Sequence, residues 1–227
     1  MENGYQDKCT IINSYKGKNK KSVRKLNEYP VFIRFSQAID IIKKALSLKE
    51  KTMDEWVYSS KPFGFRSYES GNTVKRTGDV EMLGSKGFSF VSRKEVTNNC
   101  DLIDKWKVVM SKASAEHAGQ TDNEGRKKVV SRVEILGPNQ ICTETYLLLG
   151  TFNNECEARN LADYVKSSFF RFLLSTILLT QNIAKDKFQF VPLQDFSHPW
   201  TDEMLYKKYG LTDEEIAFIE SMIRPME

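Results

Sequence analysis

The sequence predicts an α+β domain with a twisted, mostly antiparallel sheet, one long core helix and a C-terminal helical end. Short stretches rich in β-branched and aromatic residues recur between residues 55 and 152, separated by glycines, which is typical of strands joined by tight loops. Stretches with apolar residues at helical spacing lie on both sides of them. Strands and helices that are segregated in this way favour the α+β class.

Composition limits the class of protein. The chain has 227 residues, of which 40% are hydrophobic and 28% charged, so it can bury one substantial core. The longest apolar run, residues 167–179, contains Arg171 and is shorter than the roughly 18 to 20 residues that span a bilayer. The N-terminus lacks the apolar region of a secretory signal. We therefore expect a cytoplasmic protein with no membrane partner. Four scattered cysteines are expected as reduced thiols: Cys9, Cys100, Cys142 and Cys156.

Basic residues concentrate in two segments. The run KGKNKKSVRK, residues 16–25, has six basic residues and no acidic one, and Arg126, Lys127 and Lys128 form a second cluster in a polar loop. Residues 1–28 show no periodicity and predict a basic flexible arm, followed by one domain over residues 29–227. Such runs suit contacts to phosphates, although a solvated surface explains them as well.

The first element after the arm is a short amphipathic helix in QAIDIIKKALSLKE. Ile39, Ile42 and Leu46 recur at helical spacing, and Ser36 is placed to cap the N-terminus. The segments EWVYSS, VEML and GFSFVS then predict three strands. A short helix over residues 94–104 leads to the strand WKVVMS. The strand KVVSRVEIL, the turn GPNQ and the strand ICTETYLLLG follow a polar loop.

A Thr-Glu-Thr triplet interrupts that last apolar strand. Thr143 and Thr145 are two positions apart, so they are expected to share one face. Glu144 then points to the other face, where a basic residue such as Lys107 is a candidate partner.

The long core helix begins after Asn154, which is expected to cap it together with Glu157 as a capping box. Its apolar face contains Leu161, Val165, Phe169, Phe172 and Leu173. Lys166 is exposed on this helix, and Arg171 lies at the edge of the apolar face, where its stem can pack while its head reaches a polar surface. We expect both basic groups to contact phosphate or a neighbouring domain. An intramolecular ion pair is the alternative for Arg171.

The C-terminal helix has the clearest start signal in the chain. Thr212 and Glu215 are spaced as a second capping box, and Leu211 and Ile216 are placed as a hydrophobic staple. The apolar spacing of EEIAFIESMI continues from there and predicts a helix that packs on the core.

The motifs of the common catalytic classes are absent from the sequence. It has no G-x-x-x-x-G-K-[ST] loop, no H-E-x-x-H and no G-x-S-x-G elbow. No Asp or Glu stands two residues before a Lys, as in the commonest metal-dependent nuclease signature. His117 and His198 lie in polar loops and are expected at the surface. We therefore assign no catalytic residue, no metal ligand and no cofactor to this chain.

Aromatic residues alternate with basic and amide residues in KPFGFRS, GSKGFSF and TQNIAKDKFQF. These segments offer phosphate donors, base-edge donors and stacking faces, which are the groups that nucleic-acid recognition needs. The phenylalanines are explained as well by alternation into a sheet core. Arg66, Lys86 and Lys187 are therefore the more informative residues.

Three stretches resemble the C-terminal target-recognition region of adenine-specific DNA methyltransferases of the Type IIG-like restriction-modification enzymes. They are DLIDKWKVVMSKAS, ICTETYLLLGTFNNECEARNLADYVKSSFFRFLL and FQFVPLQDFSHPWTDEMLYKKYGLTDEEIAFIESMI, which cover most of residues 101–223. In that family a catalytic domain that binds S-adenosylmethionine precedes this region. The resemblance implies a recognition fragment or a separately encoded subunit. Where the family usually has Lys-Thr-Lys before Phe-Phe-Arg, this chain has Lys166-Ser167-Ser168, which weakens a phosphate role there.

The leading hypothesis is a sequence-specific double-stranded DNA-recognition domain that directs an adenine methyltransferase, or a fused restriction endonuclease, to its site. Its partners are double-stranded DNA and a methyltransferase or nuclease domain. The alternative is a non-catalytic protein-interaction domain with a solvated basic surface, and a nuclease of unfamiliar motif is a third possibility. The predicted DNA-binding residues are Arg66, Ser85, Lys86, Lys107, Lys112, Ser114, Arg126, Lys127, Lys128, Thr143, Thr145, Lys166, Arg171 and Lys187.

Overall fold

A computed structural model describes residues 8–15, 17–115 and 121–226, and it confirms the α+β class. The strands are β1 (Cys9–Tyr15), β2 (Lys18–Arg24), β3 (Asp79–Gly84), β4 (Gly87–Ser92), β5 (Trp106–Ser111), β6 (Val133–Leu136), β7 (Gln140–Cys142) and β8 (Tyr146–Phe152). The α-helices are α1 (Ser36–Leu46), α2 (Met53–Trp56), α3 (Glu155–Lys166), α4 (Ser168–Ile177), α5 (Asp202–Lys208) and α6 (Asp213–Met222). Within these described ranges, none of the helices has the length and apolar character of a membrane span.

The strands form three small sheets, with the orders β1-β2, β4-β3-β7 and β6-β5-β8. All neighbouring pairs are antiparallel except β3 and β7. The sheet β6-β5-β8 separates two hydrophobic cores. Val108 and Leu147 face the larger, helical core, whereas Val109 and Leu148 face the smaller core formed with β3, β4 and β7. A sheet that is buried on both faces requires the continuous apolar runs seen in WKVVM and YLLLG.

The predicted arm contains two strands, β1 and β2, which pair as an antiparallel hairpin. Asn13 and Arg24 are buried on its inner face, while Ile12 and Val23 are exposed on the outer face. Nη1 of Arg24 donates to the carbonyl oxygen of Ile33 at 2.9 Å. The segment therefore has a period of two that its many lysines conceal in the sequence.

The hairpin also caps helix α1. Ser36, the predicted N-cap, is the first helical residue, and Phe35 before it provides no side-chain cap. Oδ1 of Asn13 accepts hydrogen bonds from the Ser36 backbone N–H at 3.1 Å and from its hydroxyl at 3.0 Å. One of the N–H groups that a helix start leaves unpaired is thus satisfied by a residue 23 positions away.

Several predicted elements differ in their boundaries. EWVYSS is not a strand, because Met53–Trp56 form one helical turn. The predicted helix over residues 94–104 is two short 3₁₀ turns, Arg93–Glu95 and Cys100–Leu102. KVVSRVEIL contributes only the four residues of β6, and ICTETYLLLG divides into β7 and β8. VEML, GFSFVS and WKVVMS form β3, β4 and β5 as predicted.

The predicted long core helix is two helices that meet at Ser167. The backbone of Ser167 has a ψ of 150°, outside the helical range, and its side chain caps α4. The carboxylate of Asp202, on α5, accepts hydrogen bonds at 2.9 Å from the N–H groups of Ser168 and Phe169. The predicted apolar face is confirmed, since all of its residues are buried: Leu161, Val165, Phe169, Phe172 and Leu173.

Of the two capping boxes predicted in the second half, the one at Thr212 is found, and Asn154 caps α3 through its own side chain without a described reciprocal bond from Glu157. Oδ1 of Asn154 accepts from the Glu157 N–H at 2.9 Å, and Thr212 and Glu215 form a reciprocal capping box at the start of α6. Glu215 also pairs with Lys44 of α1 at 2.6 Å. The first and last helices are thereby held together in the larger core.

Candidate nucleic-acid interface

Residues 143–145, predicted within a strand, instead form the turn between β7 and β8. The Thr143 N–H donates to the carbonyl oxygen of Leu83 at 3.0 Å, and the Glu144 N–H donates to that of Phe65 at 3.0 Å. Glu144 does not pair with Lys107 as expected, because its Oε1 accepts from the Ser67 N–H at 3.3 Å. The turn therefore brings the loop at residues 61–67 next to the end of β3.

Five predicted DNA-binding residues meet around this turn and form what we call the turn surface: Arg66, Ser85, Lys86, Lys112 and Thr145. Arg66 lies in the adjoining loop, and Ser85 and Lys86 lie between β3 and β4; all three are exposed. The Ser85 hydroxyl is 3.5 Å from the carbonyl oxygen of Ser67. The Lys112 N–H donates to the Thr145 carbonyl oxygen at 3.0 Å, which places the end of β5 beside the turn. Four separate segments that carry cationic and hydroxyl side chains thus lie next to one another at the turn.

An open groove extends from Lys112 along the protein. Its volume is about 520 Å³, and its walls include Tyr58, Ser60, Asn182 and Lys185. The Lys112 ammonium donates to Oγ of Ser60 at 3.2 Å. Sequence reasoning passed over these four wall residues, although Asn182 and Lys185 lie in the quoted segment TQNIAKDKFQF. The only sequence signal for Asn182 and Lys185 was that polar and apolar residues alternate in this segment.

A second group of predicted residues lies apart from the turn surface. Arg126 forms ion pairs with Asp122 at 3.1 Å and Glu124 at 3.0 Å, so its charge is largely balanced. The backbone of Lys127 is bonded to the C-terminal segment, accepting from the Arg224 N–H at 3.0 Å.

Lys128, Ser114 and Lys166 complete this second group. The Lys128 ammonium donates to the Ser131 carbonyl oxygen at 3.0 Å, and the Ser114 hydroxyl donates to the Val129 carbonyl oxygen at 2.9 Å. Lys166 was expected to be exposed but is half-buried in the last turn of α3. The Lys128 and Ser114 side chains thus bond to the backbone of residues 129 and 131.

Three predicted DNA contacts are buried and are withdrawn from the interface: Lys107, Thr143 and Arg171. Thr143 and Thr145 do not share a strand face; their hydroxyl oxygens are 3.0 Å apart within the turn. Lys107 donates to four backbone carbonyl oxygens, the nearest being those of Lys105 at 2.6 Å and Ile103 at 2.7 Å.

The nitrogens of Arg171 likewise donate to four backbone carbonyl oxygens, including that of Arg224 at 2.8 Å. Both side chains were taken for surface groups because a sequence shows charge but not depth. Lys187 differs from them, since it is partly exposed and pairs with Asp186 at 2.6 Å.

The cysteines and histidines were not among the predicted site residues. Burial raises the pKa of the Cys142 thiol to about 12, and all four cysteines are free. His198 is exposed as expected, and His117 lies outside the described residues. Over the described parts of the chain, no three His, Cys, Asp or Glu residues are grouped so as to hold a metal ion. The aromatic alternation is mixed: Phe63 and Phe65 are buried, whereas Phe88 is exposed.

A scan of protein-family models and a search of curated proteins each gave no match to this chain.

Proposed function

We propose that this chain is a sequence-specific double-stranded DNA-recognition domain. The observation that supports it is the turn surface, where the segments that carry Arg66, Lys86 and Lys112 lie beside one turn although they are separate in the sequence. Arginine and lysine are the side chains that most often bind guanine edges and phosphates. Loops carried by a rigid sheet present such groups without a large ordering cost.

The partner in this proposal is an adenine-specific methyltransferase or a restriction endonuclease domain, as the resemblance of residues 101–223 implies. S-adenosylmethionine would bind that catalytic domain and not this chain. The recognition domain would supply affinity and sequence choice, and the catalytic domain would act on the adenine.

The proposal is tested by selecting bound duplexes from a randomised DNA pool and sequencing them. We expect one sequence to be enriched, and its affinity to fall steeply with salt because phosphate contacts release counterions. Recovery of an unenriched pool, or no binding at low salt, would contradict the proposal. The second outcome favours a protein-interaction domain, for which the exposed Ile12 and Val23 of the hairpin are the supporting observation.

Arg66→Ala and Lys86→Ala then test the turn surface itself. Each change should relax the preference at one base pair of the selected sequence, by about 1 to 3 kcal/mol, and leave thermal unfolding unchanged. Arg159→Ala is the matched control, because this arginine is exposed on α3 and pairs only with Glu155 among its described contacts. If each variant lost the same affinity for every DNA sequence, the turn surface would not read bases.

A further inference from the structure

The groove beside Lys112 continues into a second groove. The second has a volume of about 420 Å³, is walled by Lys61, Asn98 and Asn99, and shares Tyr58 and Ser60 with the first. We call the two together the polar groove. It begins at the turn surface, because Lys112 belongs to both.

Positive charge exceeds negative charge on the walls of the polar groove. Lys61, Lys112 and Lys185 are the cationic residues, and Asp54 and Asp186 are the acidic ones. Asp186 is already paired with Lys187, and a carboxylate oxygen of Asp54 accepts from the Thr52 hydroxyl. The only side-chain bond described for Lys112 uses one of its three N–H donors, and Lys185 has no ion pair among the described residues. Ammonium donors are therefore available to an anion.

Backbone strain marks the same place. Lys61 has a φ of 56° and Asn99 a φ of 50°, both in the left-handed region that lysine seldom adopts. The Asn98 amide holds the Lys61 carbonyl oxygen at 3.2 Å, and the Asn99 amide holds that of Pro62 at 2.6 Å. Strain that the surroundings maintain in this way concentrates at ligand clamps.

We infer that the polar groove binds the sugar-phosphate backbone of one DNA strand, adjoining the bases read at the turn surface. This inference rests on the proposed function. An open groove with ammonium, amide and hydroxyl groups on its walls suits a polyanionic chain, whereas small-molecule pockets enclose most of their ligand. Flexible lysines act as point charges, so the polar groove positions the DNA and contributes no base preference.

The test compares two triple variants that remove the same charge. One changes Lys61, Lys112 and Lys185 of the polar groove to Gln, and the control changes the exposed Lys43, Lys49 and Lys207 to Gln. Binding of the selected duplex is measured by fluorescence anisotropy over a series of salt concentrations. The groove variant should bind with a slope of log K against log salt that is smaller by about 0.9 for each lost phosphate contact, whereas the control keeps the wild-type slope.

Lys112 also belongs to the turn surface, so selectivity is measured on a double variant that changes only Lys61 and Lys185 to Gln; its ratio of affinities for the selected and a scrambled duplex should not change. Equal slopes for the two triple variants would overturn the inference and leave the proposed function standing. A fall in the selectivity ratio of this double variant would overturn it as well, because the groove would then read bases.

A free nucleotide is the other source of the same phosphate chemistry, so AMP and inorganic phosphate are titrated by calorimetry. Binding of AMP that the groove variant loses, with an unchanged DNA slope, would assign the groove to a nucleotide and overturn the inference. If the wild type binds no duplex, the proposed function fails. Binding of a single-stranded oligonucleotide then tests separately whether the polar groove holds a phosphate backbone. Salt-dependent binding that the groove variant loses would retain the phosphate-backbone assignment, and no binding would overturn it.

Discussion

Two buried cations hold two different regions of this protein together. In the helical core, Arg171 joins α4 to two segments distant in sequence, donating to the carbonyl oxygens of Lys128 at 3.2 Å and Arg224 at 2.8 Å. Beside the central sheet, Lys107 gathers the carbonyl oxygens of nearby residues 102, 103 and 105 and of Gly137 at 3.1 Å. Each cation donates to four backbone carbonyl oxygens, and several of these, such as those of Ile103 and Lys128, also accept a backbone N–H.

The two regions differ in how they respond to pH. A guanidinium stays charged at every pH at which proteins fold, so the joint at Arg171 is permanent. An ammonium can lose its proton, and burial lowers the pKa of Lys107 to about 8. The comparison teaches that the same contact, a cation on backbone carbonyls, is pH-independent in one core and pH-dependent at the edge of the other.

The largest expected effect is at Arg171. Arg171→Met keeps the apolar stem but leaves the four carbonyl oxygens without this donor, which should lower the free energy of unfolding by about 3 to 5 kcal/mol. Urea denaturation measures this loss. It should have the same size between pH 6 and pH 9, since no proton is exchanged.

Arg171→Lys is the matched variant, because it keeps the charge and loses the planar fork of donors. We expect it to recover only part of the stability. If Arg171→Met kept the wild-type stability but bound DNA more weakly, the Arg171 side chain would contact DNA. It would then not be a structural cation comparable to Lys107.

At Lys107 the expected effect is smaller and depends on pH. The pKa is about 8 in the folded chain and 10.5 in the unfolded chain, so between these values the unfolded chain holds a proton that the folded chain lacks. The free energy of unfolding contributed by Lys107 therefore rises with pH across this window, by at most about 3 kcal/mol. The four carbonyl oxygens favour the ammonium and oppose part of the shift. Denaturation of wild type and Lys107→Met at several pH values measures the rise.

The difference between wild type and variant is the informative quantity in that experiment. Burial also raises the pKa of Tyr164 and Tyr209, which lowers stability at the alkaline end, but both proteins share those groups. A parallel pH dependence of the two proteins would show that Lys107 keeps its proton in the fold, and that the two buried cations behave alike.

Local sequence predicted the fold where local interactions decide it. The caps at Asn154 and Thr212, the apolar face of α3 and α4, and strands β3 to β5 all depend on residues a few positions apart. Local sequence did not predict the contacts between distant segments. Asn13 caps α1 and Asp202 caps α4 from elsewhere in the chain, so Ser36 was misassigned and the break at Ser167 was missed.

The candidate site divides in the same way. Exposed loop residues such as Arg66 and Lys86 were placed correctly at the surface by their polar, glycine-rich surroundings. Lys107 and Arg171 were not, because depth depends on how sheets and helices stack and not on the neighbouring residues.

The smallest expected effect is at the start of the helix that carries Arg171. The Asp202 carboxylate accepts from two N–H groups of α4, at Ser168 and Phe169, and lies near the positive end of the helix dipole. Asp202→Asn retains one acceptor oxygen and removes the charge, so we expect a loss of about 1 kcal/mol. For a chain of this length that corresponds to a melting temperature lower by roughly 2 to 4 °C. Asp213→Asn is the control, because Asp213 stands in the first turn of α6, where Thr212 and Glu215 supply the cap, and its change should cost only a few tenths of a kcal/mol. If the two variants melted alike, the contact from α5 would add nothing beyond the dipole, and α4 would owe its position to Arg171 and its buried apolar face alone.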